Sequence, residues 1–238
     1  MTTPTLHYIF DPLCGWCYGA APLVQAARGL AGIDVAFHAG GMMTGSNRRQ
    51  ITPQWRNYVL PHDRRIAEAT GQPFGDAYLN GLLNDTAAVM DSEPPTTAIL
   101  AAEALAGRGL NMLHRLQSAH YVDGLRIAEP AVLRALGQEL GLDGAAFDVA
   151  YRQLDGLATQ QHISATRALL GQVGGQGFPT FALDDGSGKL AVLDLGAYLG
   201  RPVEWLALLA RAAAPQPHAA AAAGAAMRCD ADSCMIES

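Results

Sequence analysis

Two cysteines three positions apart, set just after a short apolar run and at the start of a helical pattern, leave this chain few folds to choose from. Thr5–Phe10 is apolar and rich in aromatics, which predicts a strand. Asp11 and Pro12 break it, and Cys14-Gly15-Trp16-Cys17 follows at once. From about Cys14 to Ala31 the apolar residues Leu23, Ala27 and Leu30 recur at helical spacing. Pro22 inside that run predicts a kink, and Gly32 its end. Ile33–Ala39 predicts a second strand. The unit is β–α–β, with the cysteine pair at the first strand-to-helix junction.

That junction has a chemical consequence. Cysteine acts as a nucleophile only as thiolate, so a redox site must lower its pKa below ~8.5. The unpaired N–H groups and the macrodipole of a first helical turn favour negative charge there. Cys14 stands where the turn begins and Cys17 one turn inside it, so the two sulfurs share a face and lie close enough to bridge. The outer thiol attacks a substrate disulfide, and the inner one attacks the resulting mixed disulfide and releases the product. Cys14 is expected to be the more exposed and more acidic thiol. No histidine lies between the cysteines to add a cationic partner. Trp16 is a candidate hydrophobic contact for a substrate, with simple packing as the alternative.

Residues 46–164 carry almost no strand signal and read as a series of helices. Asp91-Ser92-Glu93-Pro94-Pro95 is a helix start, with cap candidates, an early acid and early prolines. The helix after it should run over Thr96–Ala106, with others near 111–122, 130–140, 144–154 and 158–171. Strands return after the glycines at 174, 175 and 177: Phe178–Leu183 and Lys189–Leu193 flank the turn Asp184–Gly188, which suits a hairpin. A last amphipathic helix is expected at about 202–213, then a Pro- and Ala-rich linker and a tail holding Cys229 and Cys234. Met42 and Met43 should line the loop leaving the second strand. The seven histidines are scattered, with no metal-binding spacing.

Composition narrows the function classes. A net charge of −6 with no basic run gives no electrostatic basis for binding nucleic acid or an anionic membrane. No stretch is long and apolar enough to span a bilayer, and residues 1–6 lack the features of a cleavable leader, so a cytoplasmic protein is expected. Two small-loop disulfides would add little stability to 238 residues. In a reducing compartment such pairs are more often reactive or metal-binding.

Asp11-Pro12-Leu13-Cys14-Gly15-Trp16-Cys17-Tyr18, followed far downstream by Gly177-Phe178-Pro179-Thr180, resembles the DsbA family of thiol–disulfide oxidoreductases. His62 through Tyr78, with Gly71–Gly75 inside it, and Ser92–Pro94 look similar to its cytoplasmic FrnE-like branch. The resemblance covers about residues 5–212. It implies an α/β chain, a thioredoxin-like fold split by a large all-helical insertion: residues 1–45 with 172–214 form the thioredoxin domain, 46–171 the insertion, and 215–238 the linker and tail. By the same resemblance Cys14 is the nucleophile, Cys17 the resolving thiol and Pro179 a cis-proline facing them, while Phe178 offers backbone to a bound substrate strand. The implied partners are protein thiols and disulfides, with glutathione a further candidate. No cofactor is implied beyond the Cys14–Cys17 pair itself, and no metal. The secreted oxidants of the family carry a leader and a Pro-His dipeptide between their cysteines, which this chain lacks. Some FrnE-like chains carry a second cysteine pair near their end, so Cys229 and Cys234 are a candidate accessory redox pair, with an inert disulfide or a metal-chelating tail as alternatives.

Two rival readings use the same residues. Glutathione-dependent transferases and isomerases of the kappa type resemble the same split fold but generally lack the inner cysteine, so Cys17 argues against them. A four-thiolate zinc site of Cys14, Cys17, Cys229 and Cys234 needs neither the β–α placement nor the Pro179 element.

Overall fold

A computed structural model describes residues 3–213, Ser187 excepted. The expected linker and the Cys229/Cys234 pair lie outside the described residues. The strand β1 (Thr5–Phe10) pairs in parallel with β2 (Asp34–Ala39) and antiparallel with β5 (Thr180–Asp184), which pairs antiparallel with β6 (Leu190–Val192). The sheet order β2-β1-β5-β6 therefore joins the two ends of the described sequence, and the long helical stretch leaves the sheet after β2 and returns at β5. This is a thioredoxin-like α/β fold carrying a helical insertion.

Alternation along β1 sets the core. Leu6, Tyr8 and Phe10 are fully buried. Tyr8 stacks on Phe181 of β5 at 4.7 Å between ring centroids, and Phe181 meets Trp205 edge-on at 5.2 Å. Trp205 belongs to α9 (Pro202–Ala213), and its indole Nε1 donates to Leu23 O at 3.0 Å. The amphipathic last helix is thus closed onto the first helical segment by a buried aromatic with its polar atom satisfied. On the opposite side of β1, His7 and His38 stack, with Nδ1 and Nε2 3.0 Å apart.

The first helical segment is two helices, α1 (Gly15–Gly19) and α2 (Ala21–Arg28), rather than one kinked helix. Pro22 stands in the first turn of α2, where its missing N–H costs nothing. It cannot donate to Tyr18 O, and that carbonyl instead accepts from Gln72 Nε2 at 2.9 Å. The break therefore ties α1 to the segment following the insertion's first helix.

In the insertion, α4 (Glu93–Ala106), α5 (Gly109–Tyr121), α6 (Pro130–Glu139), α7 (Gly144–Leu154) and α8 (Leu157–Gln172) fall close to the expected positions. The Asp91 carboxylate accepts from Glu93 N at 3.0 Å, the capping role its position suggests. Two features go beyond the sequence reading. The 18-residue helix α3 (Pro53–Thr70) begins at Thr52, whose hydroxyl accepts from Trp55 N at 3.1 Å, and ends at Gly71 with φ 74°. The other is a two-residue ladder of β3 (Arg49–Gln50) with β4 (Val89–Met90), too short to show as alternation. A π-helical turn, Ala77–Gly81, lies between them.

Candidate active site

Cys14 is the N-cap of α1, in extended backbone at φ −87° and ψ 115°. A cap side chain accepts from the third helical amide. Here the acceptor is the Cys14 sulfur, which takes Cys17 N–H at 3.3 Å. The Cys14 thiol in turn donates to Phe178 O at 3.5 Å. The Phe178–Pro179 bond is cis, so the returning chain meets the cysteine pair through that carbonyl. Both cysteines are free thiols; Cys14 is 6% exposed and Cys17 0%, so access is through Cys14. Burial, then the hydrogen bond and charge of Cys14, push the Cys17 thiol well above its ordinary range. Behind it, the Tyr8 hydroxyl donates to Cys17 O at 3.2 Å.

Asp11 fixes the junction. Its carboxylate accepts from Leu13 N at 2.8 Å, from the Ser92 hydroxyl at 2.9 Å and from Met42 N. Ser92 Oγ also accepts from Met43 N at 3.0 Å. One fully buried acid thus joins the cysteine loop, the loop leaving β2 and the start of α4. Burial raises the Asp11 pKa, opposed by these hydrogen bonds.

The insertion supplies the facing wall. A cleft of about 960 Å³ runs beside Cys14 and Trp16, between Met42, Met43 and Phe178 and the inner side of α3. Trp55, Tyr58 and His62 follow one another along α3 as a ledge, with the Arg49 guanidinium 5.4 Å from the Trp55 ring centre. Trp16 and Phe178 are half-buried, packed against the core and each with a face on the cleft. Deeper in, Tyr78 on the π-helical turn donates to Asp63 Oδ2 at 3.0 Å. Burial raises Asp63 from 3.8 to about 6, the Tyr78 bond opposing it.

The sequence reading assigns no role to Asp63, Tyr78, Tyr121 or the α3 ledge, although 62–78 falls within the resemblance. A signal for Asp63 exists: it stands four residues after Val59 and three before Ile66, a carboxylate on the apolar stripe of an otherwise polar helix.

Asp63 also sets a stability expectation. Its folded pKa lies above its free value, so the neutral form is the favoured one. Its contribution is fully present below about pH 4 and lost as pH rises through 6, by about 2–3 kcal/mol. Asp63→Asn should therefore raise the urea midpoint at pH 8 and leave it nearly unchanged at pH 4. An equal effect at both values would mean that Asp63 is not strained by its charge.

The DSBA-like thioredoxin domain matches residues 5–197. The chain belongs to the DSBA-like thioredoxin family. It is a thiol–disulfide oxidoreductase. Among solved structures, it is similar to the cytosolic disulfide reductase DsbM from Pseudomonas aeruginosa, at 55% identity over 87% of this chain and 97% of that one, with a TM-score of 0.82. A second structure of that reductase, with GSH, matches at 53% identity over 87% and 98%, TM-score 0.81. A putative protein disulfide isomerase from Nitrosomonas europaea matches at 26% identity over 88% and 97%, TM-score 0.71. Among curated proteins no match is found. Among the described residues no helix is long and apolar enough to cross a membrane, and no cluster of His, Cys, Asp and Glu is arranged to hold a metal ion.

Proposed function

We propose that this DSBA-like protein is a cytosolic disulfide reductase that opens protein disulfides and is itself re-reduced by a thiol of the glutathione type. The observation that carries the reading is the asymmetry of the pair: Cys14 at the helix N-cap on a large cleft, Cys17 fully buried behind it. In this reading Cys14 attacks one sulfur of the substrate disulfide. The S–S bond breaks, one thiol leaves, and a Cys14–substrate disulfide forms. Cys17 then attacks Cys14 Sγ, the second thiol leaves, and the Cys14–Cys17 disulfide holds the two electrons' worth of oxidation. No cofactor beyond the pair takes part.

Pro179 and Phe178 form the other side of the substrate path. Pro179 brings no N–H of its own to this edge, and the Phe178 carbonyl beside it accepts from the Cys14 thiol in the free protein. A substrate strand takes its place by backbone pairing beside Phe178, with Trp16 as an apolar contact. The working division is residues 1–45 and 172–214 for the chemistry, 46–171 for the facing wall.

The reductive direction rests on the similarity to a cytosolic disulfide reductase at 55% identity. A dithiol is a strong oxidant's product when its thiolate form is specially stabilised. At Cys14 the described backbone donor to the sulfur is the single N–H of Cys17. The similarity to a reductase solved with GSH supports glutathione as the recycling thiol. The test is the redox potential of the Cys14/Cys17 couple with insulin reduction driven by glutathione. The expected potential lies nearer thioredoxin's, about −270 mV, than the strong oxidant value of about −120 mV. A value near the latter, with no glutathione-driven insulin reduction, overturns the reductase assignment.

A further inference from the structure

Asp63 has no part in the exchange steps just described, yet its surroundings are those of a working group. Its side chain is 5% exposed. Oδ2 accepts from Tyr78, while Oδ1 accepts from no described residue and no described cation pairs with the carboxylate. A carboxylate kept for structure is normally buried with its oxygens paired, because an unpaired charge is costly. Here the free oxygen points to the cysteine loop. A Cβ placed on Gly15 would lie 3.4 Å from Asp63 Oδ1 and 4.0 Å from the Tyr121 hydroxyl. Gly15 follows the nucleophile directly, so carboxyl and phenol pack against the backbone beside Cys14, and all of them line the cleft a substrate must enter.

We propose that Asp63, contributed by the helical insertion, is the acid–base partner of the exchange, handing a proton to the thiolate that leaves when Cys14 attacks. This rests on Cys14 being the attacking thiol. The Cys14 thiolate forms a bond to one substrate sulfur and the substrate S–S bond breaks. The departing sulfur, which carries the electron pair of that bond, takes the proton of the neutral Asp63 carboxyl. Asp63 is left as carboxylate and is reprotonated from solvent or by the thiol proton of the next reduced Cys14. No oxidant or metal enters beyond the substrate disulfide itself. The groups facing Asp63 are the Tyr78 and Tyr121 hydroxyls and, beyond Gly15, the Cys14 and Cys17 thiols; on its own helix are Arg56, His62 and Arg64. The raised titration of Asp63 keeps a neutral fraction available near neutral pH. A leaving thiol of high pKa gains most from such a proton, and one of low pKa almost nothing.

The test is single-turnover, stopped-flow reduction of two disulfides by the pre-reduced full chain at pH 6, 7 and 8. One probe is glutathione disulfide, with a weakly acidic alkyl leaving thiol. The other is a nitrobenzoate disulfide, with a strongly acidic aryl leaving thiol. Asp63→Asn should slow the alkyl probe at least about tenfold at pH 6 and the aryl probe less than about twofold, with the gap narrowing toward pH 8 as the parent's carboxyl ionises. Tyr78→Phe keeps the acid and removes the hydrogen bond that holds its titration down, so it should preserve the contrast between probes and shift its fading to higher pH. If Asp63→Asn slows both probes equally, or neither, the inference fails. Cys14→Ser, run alongside, separates the two levels. A Cys14→Ser protein that still reduces the probes overturns the nucleophile assignment. An inactive one, beside an Asp63→Asn protein with no contrast, overturns the role of Asp63 alone.

Discussion

Replacing Cys14 with Ser is expected to reduce insulin-disulfide reduction by at least about a hundredfold, whereas replacing Cys17 with Ser should trap the substrate on the protein. The difference comes from where the two sulfurs stand. Cys14 has the N-cap position, the amide of Cys17 and the opening to the cleft. A serine hydroxyl there keeps the cap hydrogen bond but is not ionised, so the fold survives and the nucleophile is lost. Cys17 is closed off from solvent, and among the described residues Cys14 is the sulfur beside it. Without it the first exchange proceeds and the second does not, and a disulfide between Cys14 and substrate accumulates. Intact-mass spectrometry after incubation with an excess of oxidised peptide reads this directly: one adduct on the Cys17→Ser protein, reversed by dithiothreitol, and none on the Cys14→Ser protein. A Cys14→Ser protein that still turns over, or an adduct found on Cys17, would reverse the two roles.

Much of this site was legible because it is local. The strand, the Asp11-Pro12 break and the helical register after Cys14 lie within one short stretch, and each leaves a pattern there. The helices α4 to α8 were legible for the same reason, since caps, glycines and apolar spacing mark them. Pro22 predicts a kink within one helix but stands in the first turn of a second; the difference lies in Gln72, whose side-chain amide donates to the Tyr18 carbonyl from fifty-four residues away. Distance explains the other omissions too. α3 carries few buried residues, Asp63 and Ile66 chief among them, so its apolar stripe is thin, and Pro61 stands in its middle. Tyr78 sits in a π-helical turn with no simple period. Tyr121 looks like an ordinary core residue on α5 until packing brings it to Gly15. The half of the site made by one segment could be read from the chain, while the half made by contact between distant segments needed the fold.

Asp11→Ala is expected to cost the protein about 3–5 kcal/mol. Asp11 is 0% exposed, and three donors end on its carboxylate: Leu13 N, Met42 N and the Ser92 hydroxyl. Alanine leaves all three without an acceptor in a place water does not reach, at about 1–3 kcal/mol for each group left unpaired. Part of that loss is offset because the buried charge, itself unfavourable, is also removed; burial is the largest cause of the raised Asp11 pKa. Asp11→Asn should fall between the two, since one amide oxygen can accept while the NH₂ group is turned toward donors. The Ser92→Ala change tests the same network from the other side. It removes the donor to Asp11 and the acceptor for Met43 N together, so in the Asp11→Ala background its further cost should be clearly smaller than in the parent. Urea denaturation of the four proteins closes the cycle. Simple additivity of the two substitutions would mean that Asp11 and Ser92 act separately, and that the cysteine loop is not held to the insertion through this carboxylate.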